Sequence, residues 1–303
     1  MPDHVVELTD VTVRVGSRRV LRELSLRLAA GSWHGLVGAN GSGKTTVMRT
    51  ALGLVRPTAG TVRLFGAVPP ATPGLVGVSF GPRLLHPARR VRTELALRVA
   101  AVRGGPGDLE VAWEHTGLTD RRVRCGALSL GQAQRLSVTC AMVGSPRLVV
   151  LDEPTVGLDV AGVDWLRQRL GEFVRSGGCA WVSSHDLSEV ERAADAVTVL
   201  DAGRVAYAGP TCGLLGSPSV VRVASSRPAA LARALTTAGL AYAVDGPAGV
   251  VVHGAAPRLV GEVLARERVP VVAMSAERTT LDLAMRGLAI RPESRSERLV
   301  EAP

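Results

Sequence analysis

Residues 38–45 read Gly38-Ala39-Asn40-Gly41-Ser42-Gly43-Lys44-Thr45, which fits the pattern GxxxxGK[ST] without a mismatch. The octapeptide follows the apolar run 35–37 and opens a segment that we predict to be helical through residue 54. Backbone N–H groups can turn inward on a phosphate only where side chains do not obstruct them, which the three glycines allow. Strand, glycine loop and helix thus follow one another in the order that phosphate binding requires.

Two side chains of this loop carry further chemistry. Lys44 supplies a compact positive charge for the outer phosphates, and the hydroxyl of Thr45 can ligate Mg²⁺. The N-terminus of the following helix adds its dipole to the same anion. The alternative is a glycine-rich turn that merely opens an ordinary helix, and the placement after an apolar strand argues against it.

A second apolar run, 148–151, ends abruptly in Asp152 and Glu153. A strand buried on both faces does not tolerate charges inside, so the acids mark its carboxyl end, where ligands bind in open α/β sheets. There Asp152 is placed to hold Mg²⁺ and Glu153 to polarise an attacking water. His185 follows a further apolar run and can bind the γ-phosphate or position the water. Taken alone, such acids often mark a solvated strand end and such a histidine a plain surface residue.

The rest of the chain predicts an α/β architecture. Alternating runs over 5–28, broken at Gly16-Ser17, predict two antiparallel strands, and residues 83–123 read as helical apart from a loop at 104–107. A second helix is predicted after Ser129. Short apolar strands then alternate with helices, which implies a parallel sheet that closes with a hairpin at 201–203. These strands are predicted at 148–151, 179–183 and 196–200.

A change of composition after Pro210 predicts a domain boundary. Residues 1–210 form the first domain, the Gly-, Ser- and Pro-rich stretch 211–218 a linker, 219–290 a small α+β domain and 291–303 a disordered tail. Within 219–290 the order strand, helix, strand, strand, helix, strand matches a ferredoxin-like split βαβ unit.

Composition limits the class of protein. Of the 303 residues 46% are hydrophobic but only 3% aromatic, so the core must consist of Val, Leu and Ala rather than rings. The net charge of +9, carried by scattered arginines, suits nucleic acid, an anionic membrane surface, a phosphorylated ligand or simply a solvated surface. The four cysteines lack metal-ligand spacing, which indicates a reducing compartment and no structural metal. No apolar stretch is long enough to cross a bilayer, so a cytoplasmic location is expected.

The chain contains, in this order, residues 38–46, Leu128-Ser129-Leu130-Gly131-Gln132, residues 148–153, Gly157-Leu158-Asp159 and His185. Together these motifs resemble the nucleotide-binding domain of ATP-binding cassette (ABC) transporters over about residues 4–210. The chain looks like the drug- and antibiotic-exporter branch of this family at Leu130 with Gln134-Arg135 and at the stretch Leu85-His86-Pro87. The resemblance implies a P-loop NTPase of the ABC type, with a mixed sheet core, an antiparallel β subdomain and a helical subdomain.

The resemblance also implies an ATPase built from two subunits that close around ATP. The helix tip at Ser129 of one subunit would cover the γ-phosphate held by its partner, with Asp159 communicating across the interface. A separate integral membrane permease, exporting an unspecified substance, would be the partner, and the chain would lie on the cytoplasmic face of the membrane. Nucleotide-binding residues would be Gly38, Asn40, Gly41, Ser42, Gly43, Lys44, Thr45, Thr46, Ser129, Gly131 and Gln132; catalytic residues Glu153, His185 and Lys44; and Mg²⁺ ligands Thr45 and Asp152.

Two positions depart from the family pattern. An aromatic residue that stacks on adenine is expected near Val15, and its absence predicts weaker ATP binding and poorer base selectivity unless Arg18 or Arg19 stacks instead. A glutamine or acid is expected where Gly81 stands, which puts the rate and coupling of hydrolysis in question. Residues 82–92 are the expected docking segment for a membrane helix.

Three alternatives remain open at this point. The chain could pair as a homodimer or a heterodimer, and the two departures could mark a degenerate subunit beside an intact partner. It could also be a non-transport ATPase that acts on nucleic acid. Such proteins usually carry a coiled coil, a zinc insertion or two fused cassettes, and the short interval between Lys44 and Ser129 shows neither heptads nor cysteine clusters. No nucleic-acid partner is therefore expected. By analogy with the family, the C-terminal domain is regulatory or stabilises the dimer.

Overall fold

The computed structural model describes residues 4–70, 74–185, 190, 193–211, 220–252, 255 and 257–277. These residues fall into two compact units, one within 1–210 and one within 211–296. The predicted linker beyond Thr211, the last part of the predicted small domain (278–290) and the predicted tail (291–303) lie outside the described residues.

The first unit contains nine strands and five α-helices among its described residues. In chain order these are β1 (His4–Val15), β2 (Arg18–Ala29), β3 (Trp33–Gly38), α1 (Lys44–Ala51), β4 (Ala59–Leu64), β5 (Val76–Ser79), α2 (Val91–Ala101), α3 (Pro106–Thr116), α4 (Leu130–Met142), β6 (Leu148–Asp152), α5 (Val160–Arg175), β7 (Cys179–Ser184), β8 (Ala196–Asp201) and β9 (Arg204–Pro210).

Six strands form a mixed sheet in the order β5-β6-β7-β3-β8-β9. The first five are parallel, and β9 runs antiparallel because a tight turn at Ala202-Gly203 returns the chain directly beside β8. All six residues of β7 are buried, as expected of a parallel strand covered on both faces. The carboxyl ends of β6, β7 and β3 are therefore neighbours at one edge.

A smaller antiparallel sheet has the order β2-β1-β4. The hairpin turn at Gly16-Ser17 lies where the sequence predicts it. Strand β4 was not predicted, although 60–64 alternate polar and apolar residues; it forms by pairing with the distant β1. Apolar side chains of β1 and β2, among them Leu8 and Leu21, pack in one cluster with Met48 of α1, so this sheet supports the helix that follows the phosphate loop.

The helix boundaries correct the sequence predictions in four places. Helix α3 ends at Thr116, where Gly117 has φ of +68°, so the predicted helix does not continue to residue 123. Helix α1 stops at Ala51 rather than residue 54, because Gly53 has φ of +76° and Leu54 N–H folds back onto the carbonyl of Arg49. Residues 83–90 were predicted to be helical, but only a 3₁₀ turn at Pro82–Leu84 precedes α2. The predicted loop 104–107 is too long, because Pro106 already forms the first turn of α3, a position that suits proline.

The second unit alternates strands and helices in the predicted order. Its elements are β10 (Val220–Ser225), α6 (Pro228–Thr237), β11 (Tyr242–Asp245), β12 (Gly249–Val252), α7 (Pro257–Arg266) and β13 (Val271–Glu277). The four strands form an antiparallel sheet in the order β11-β12-β10-β13. Its core joins valines of β10 and β12 to Leu231 and Leu235 of α6 and Val260 and Leu264 of α7. Within the described part of the chain, no helix combines the length and apolar character needed to cross a bilayer.

Candidate active site

The predicted phosphate loop and the predicted acids meet at one edge of the mixed sheet. Gly38 ends β3, Asp152 ends β6, and His185 directly follows β7, which pairs with both of those strands. Three segments that are distant in sequence are thereby placed side by side, as the rule for ligand sites at the carboxyl ends of parallel strands requires.

The backbone of the phosphate loop needs its glycines. A Cβ atom on Gly38 would lie 2.5 Å from the carbonyl oxygen of Leu200 and 2.6 Å from Ser42 Oγ, so no larger residue fits there. Gly41 and Gly43 have φ of +80° and +111°, in the region that side chains disfavour. Gly43 immediately precedes α1, so the loop delivers backbone N–H groups and the helix dipole to one point. Asn40 and Gly41 form its exposed tip.

Lys44 lies beneath this loop with its side chain only 7% exposed. Its Nζ donates to the carbonyl of Gly38 at 2.7 Å and lies 3.1 Å from Glu153 Oε1. A buried ammonium is stable only with such acceptors around it. Its charge is thus held directly at the glycine loop, where the outer phosphates of a nucleotide would lie.

Thr45 and Asp152 form the predicted pair of Mg²⁺ ligands. The Thr45 hydroxyl donates to Asp152 Oδ2 at 2.6 Å, which shows that the two oxygens reach the same position. Magnesium prefers hard oxygen ligands and commonly takes one or two from protein. The chemistry and proximity of this pair therefore fit a magnesium ion. Thr46, next in α1, is half-buried and accepts a helix-internal bond from the Thr50 hydroxyl.

Glu153 lies at the centre of the polar contacts. Its Oε2 lies 2.6 Å from His185 Nδ1 and also accepts from the His185 backbone N–H at 3.2 Å, while Oε1 faces Lys44. Burial raises the pKa of the Glu153 carboxyl, but the hydrogen bonds from His185 and Lys44 outweigh burial and hold the pKa below its usual range. The group is therefore an ionised carboxylate at neutral pH. Its φ of +49° is unusual for a non-glycine residue.

The tautomer of His185 follows from this contact. An ionised carboxylate can only accept, so Nδ1 carries the proton and donates it to Glu153. The side chain is 54% exposed, so its other ring nitrogen, which is an acceptor in the neutral ring, is accessible to a donor such as a water O–H. His185 is therefore oriented by the carboxylate with which the sequence had predicted it to act.

Ser183 is a site residue that the sequence analysis missed. It is fully buried in β7 directly opposite Asp152, and its hydroxyl donates to Asp152 Oδ1 at 2.5 Å. Ser183 Oγ also accepts from the Glu153 backbone N–H at 2.9 Å. One hydroxyl thus fixes both acids. The sequence shows only that Ser183 lies two residues before His185 at the end of an apolar strand. Its contact with Asp152 can be inferred only when the register between β6 and β7 is known.

The remaining predicted nucleotide-binding residues lie at the N-terminus of α4. Ser129 caps that helix: its hydroxyl accepts from Gln132 N–H at 3.2 Å, and the Gln132 side chain accepts from Ser129 N–H at 3.0 Å. A Cβ on Gly131 would lie 2.8 Å from the carbonyl oxygen of Gly157. Among the hydrogen bonds of the described residues, none joins this helix tip to residues 38–46. Asp159 caps α5 through Gly162 N–H at 2.8 Å and lies 3.9 Å from Arg135.

The two departures also have a structural context. Val15, the last residue of β1, is 62% exposed. Its side chain is aliphatic, so this position presents no aromatic ring. Gly81 has φ of +91° and ψ of 170°, and its carbonyl accepts from the Ser137 hydroxyl of α4 at 3.3 Å. Ser79 and Ser137 are themselves hydrogen-bonded at 2.7 Å. The backbone at position 81 is therefore tied to α4 without the side chain that the family pattern would supply.

Comparisons with known proteins agree with this geometry. The sequence family described as ABC transporter matches residues 21–156, and a domain of unknown function matches residues 219–282. The bacitracin transport ATP-binding protein BcrA of Enterococcus faecalis is 34% identical over 210 residues, covering 67% of this chain and 68% of that protein. The Nod factor export ATP-binding protein I of Rhizobium meliloti is 32% identical, with 67% and 64% covered.

A third relative is named for import. The molybdenum import ATP-binding protein ModC of Mycobacterium tuberculosis is 35% identical over 67% of this chain and 60% of its own length. The chain thus spans roughly two thirds of the length of these relatives. An ATP-binding subunit of an ABC transporter superposes with a TM-score of 0.64 at 24% identity, over 69% of this chain and 91% of that one. A dimeric ATP-binding cassette bound to ADP and Pi gives 0.61 at 21%, over 68% and 98%. These two likenesses establish the fold.

Proposed function

The chain belongs to the ATP-binding protein family of ABC transporters, a family of ATPases, and from that premise we propose that two such subunits close around ATP to drive export through a separate membrane permease. The observation that carries the proposal is the contact of Glu153 with both Lys44 and His185. It places an ionised carboxylate beside the cation that would hold the γ-phosphate, where an attacking water must be polarised.

The residues of one subunit would divide the work of hydrolysis. The glycine loop and Lys44 bind and orient the phosphates, and Thr45 and Asp152 would hold Mg²⁺. When bound, the ion would neutralise charge that develops on the phosphate oxygens. Glu153 accepts hydrogen bonds from the attacking water, and His185, fixed by Glu153, can accept from a water at its second ring nitrogen.

The second half of each site would come from the partner subunit. The first turn of α4 has unpaired N–H groups and a positive dipole end, which favour an anion. The capping box fixes Ser129 and Gln132, and the close packing of Gly131 on the Gly157 carbonyl joins this tip to the loop that carries Asp159. A γ-phosphate between Lys44 of one subunit and Ser129 of another would hold the pair together until hydrolysis.

Export through a permease is supported by the kind of relatives the chain has and by one exposed segment. BcrA and the Nod factor protein are named for transport and export, whereas ModC is named for import. Leu84, in the expected docking segment 82–92, is 67% exposed beside the buried Leu85, so this segment offers an apolar contact for a membrane helix. We place the chain on the cytoplasmic face of the membrane accordingly.

A degenerate ATP-binding partner subunit is the second candidate, and the exposed Val15 and the glycine at position 81 favour it. The intact contacts of Glu153 favour an active ATPase over this candidate. The third alternative, action on nucleic acid, draws on the net charge alone.

We assign the domains as 1–210 for the nucleotide-binding part and 219–290 for an accessory part. The strand order β11-β12-β10-β13, with a helix after β10 and another after β12, supports a ferredoxin-like arrangement for the accessory part. Its role would be regulatory or dimer-stabilising.

The test uses a Glu153→Gln variant of the full chain, which keeps the side chain's size but removes the charge. We expect the variant to bind ATP but to hydrolyse it at least about a hundred-fold more slowly, which is the loss of rate typical when a general base is removed. It should therefore accumulate as an ATP-dependent dimer, which light scattering detects. Lys44→Ala is the matched control, because it should lose ATP binding and stay monomeric. A Glu153→Gln variant that remains monomeric at saturating magnesium-ATP contradicts the proposal.

A further inference from the structure

A cavity of about 430 Å³ lies between α3 and the C-terminal halves of α4 and α5. It is also lined by residues 144–147 and 176–178, which lead into the amino ends of β6 and β7. Asp152 and His185 lie at the carboxyl ends of the same two strands, so this α3–α5 cavity is at the opposite edge of the sheet from the candidate active site. Its volume is within the range of cavities that hold small molecules.

The walls of the α3–α5 cavity are partly apolar. They include Val111 and Ala112 of α3, Met142 of α4 and Phe173 of α5. The Phe173 ring is fixed, because Gly178 packs so closely on it that a Cβ there would overlap the ring. Among the described residues, no three side chains are grouped as a bound metal ion would require. The cavity therefore suits an organic ligand with an apolar body rather than a bare ion.

The cationic side chains at this cavity already have partners. Arg169 donates to His115 Nε2 at 2.8 Å and lies 2.6 Å from a carboxylate oxygen of Glu172. Burial and, to a smaller extent, the charge of Arg169 lower the pKa of His115, so this ring is neutral at neutral pH. The guanidinium of Arg147 stacks on Phe65, which lies outside the cavity, at 5.0 Å from the ring centre. These contacts leave little demand for an anionic ligand.

The acceptors at the cavity are less well satisfied. Asp108 Oδ2 accepts from Gly105 N–H at 2.7 Å, but no donor or cation from any described residue reaches Oδ1. Helix α4 ends at Met142 without a basic residue in its last turn, and no backbone N–H of the described residues beyond it caps the final carbonyls. The end of α5, by contrast, is capped by the N–H groups of Ser176 and Gly177. An uncapped helix C-terminus carries partial negative charge and favours a cation.

We propose that the α3–α5 cavity binds a small organic cation, an amine whose ammonium group is held by Asp108 and the last carbonyls of α4 and whose apolar body contacts Phe173. Helices α4 and α5 are capped at their N-termini by Ser129 and Asp159. A bound amine therefore contacts the far ends of the two helices that carry the predicted subunit interface, and it leaves the phosphate loop untouched. The proposal does not depend on the proposed function.

The test measures the binding of three related compounds to the purified full chain, without nucleotide, by isothermal titration calorimetry. Phenethylamine is a cation, 2-phenylethanol is neutral and 3-phenylpropionate is an anion. We expect phenethylamine to bind with a dissociation constant on the order of 1 mM, which is typical of so small a ligand. The alcohol should bind more weakly, and 3-phenylpropionate at least about ten-fold more weakly, because its charge has the wrong sign.

Two variants with matched controls locate the site. Val111→Trp should fill part of the cavity and abolish binding of phenethylamine, whereas Leu97→Trp changes a similarly exposed residue of α2 outside the cavity and should not. Asp108→Asn keeps an acceptor for Gly105 N–H but removes the charge, so it should weaken phenethylamine roughly two- to five-fold relative to 2-phenylethanol. Asp120→Asn makes the same change at another aspartate that accepts from a backbone N–H, and it should leave this ratio unchanged.

Several results would overturn the proposal. They are binding of 3-phenylpropionate or 2-phenylethanol as tight as that of phenethylamine, unchanged amine binding in Val111→Trp, or the wild-type ratio of amine to alcohol in Asp108→Asn. Thermal unfolding shows whether each variant is folded, and the milder Asp108→Asn decides the matter if the tryptophan variant is not. No nucleotide or second subunit enters these measurements, so their failure is distinct from failure of the ATP-dependent dimer of Glu153→Gln.

Discussion

Replacing Ser183 by alanine is the most informative change in the active site, because one hydroxyl fixes both acids. The variant loses a hydrogen bond to the charged Asp152 and leaves the Glu153 backbone N–H without its partner. A bond to a charged group contributes about 1.5 to 3 kcal/mol, and an orphaned buried donor costs about 1 to 3 kcal/mol. Because Glu153 is 24% exposed, water can reach part of this region, and we expect a loss of roughly 3 kcal/mol in the free energy of unfolding.

Activity should change in a way that loss of stability does not explain. Asp152 would be free to turn away from Thr45, and partners that orient a metal ligand typically account for about 10- to 100-fold in metal affinity or activity. We therefore expect the Mg²⁺ concentration for half-maximal ATPase activity to rise by that factor. Urea unfolding and a magnesium titration of ATPase activity measure the two effects separately.

The chain offers a matched control for this variant. Ser225, in the second unit, is also buried, donates to a carbonyl (Pro270, 2.6 Å) and accepts from a backbone N–H (Arg227, 3.0 Å). Ser225→Ala should lower stability but leave the magnesium requirement unchanged. Equal magnesium curves for Ser183→Ala and the wild type would refute the idea that Ser183 positions the ligand.

Two further predictions concern the nucleotide base and pH. Val15→Tyr should lower the KM for ATP by roughly five-fold, because its ring can stack on the base. Inhibition by tripolyphosphate, which has no base, should not change. An unchanged KM would show that position 15 does not face the base. Burial lowers the pKa of His34 from 6.5 to about 4. Between these two pH values the unfolded chain binds a proton at this histidine and the folded chain does not. The free energy of unfolding should therefore fall by up to about 1.4 kcal/mol for each pH unit as the pH is lowered from 6.5 toward 4. Urea midpoints of His34→Gln should show a shallower slope and those of the exposed His86→Gln the wild-type slope; parallel slopes in all three would contradict this.

The sequence was sufficient for those parts of the site that depend on local order. A glycine loop between an apolar strand and a helix, and two acids at the end of an apolar strand, are read from neighbouring residues, and the structure places both at one sheet edge. The cap at Ser129 was likewise visible as a helix start, and α4 begins at the next residue.

What the sequence did not show depends on register between distant segments. Ser183 acts on Asp152 only because β6 and β7 are paired in one particular register. Strand β4 exists because β1 offers it an edge, and its six residues carry too weak a pattern alone. The error at 83–90 has the same origin: Arg89 and Arg90 are held extended by the loop at 123–125, a contact between distant segments that outweighs local helix propensity.

Gly81 shows why a departure from a family pattern is more than a missing side chain. With φ of +91° and ψ of 170°, the backbone there has a conformation that any residue with a Cβ adopts only under strain. No neighbour within 4 Å would obstruct a side chain, so space alone would allow glutamine. The conformation is held by Ser79 and Ser137, whose hydroxyls are hydrogen-bonded to each other and to the backbone of Gly81. Because Ser137 belongs to α4, the strand end that precedes the docking segment is joined by its backbone to the helix that begins at Ser129. Two serines and a main-chain carbonyl therefore form one connection between that strand end and α4, where the family pattern would supply one long side chain.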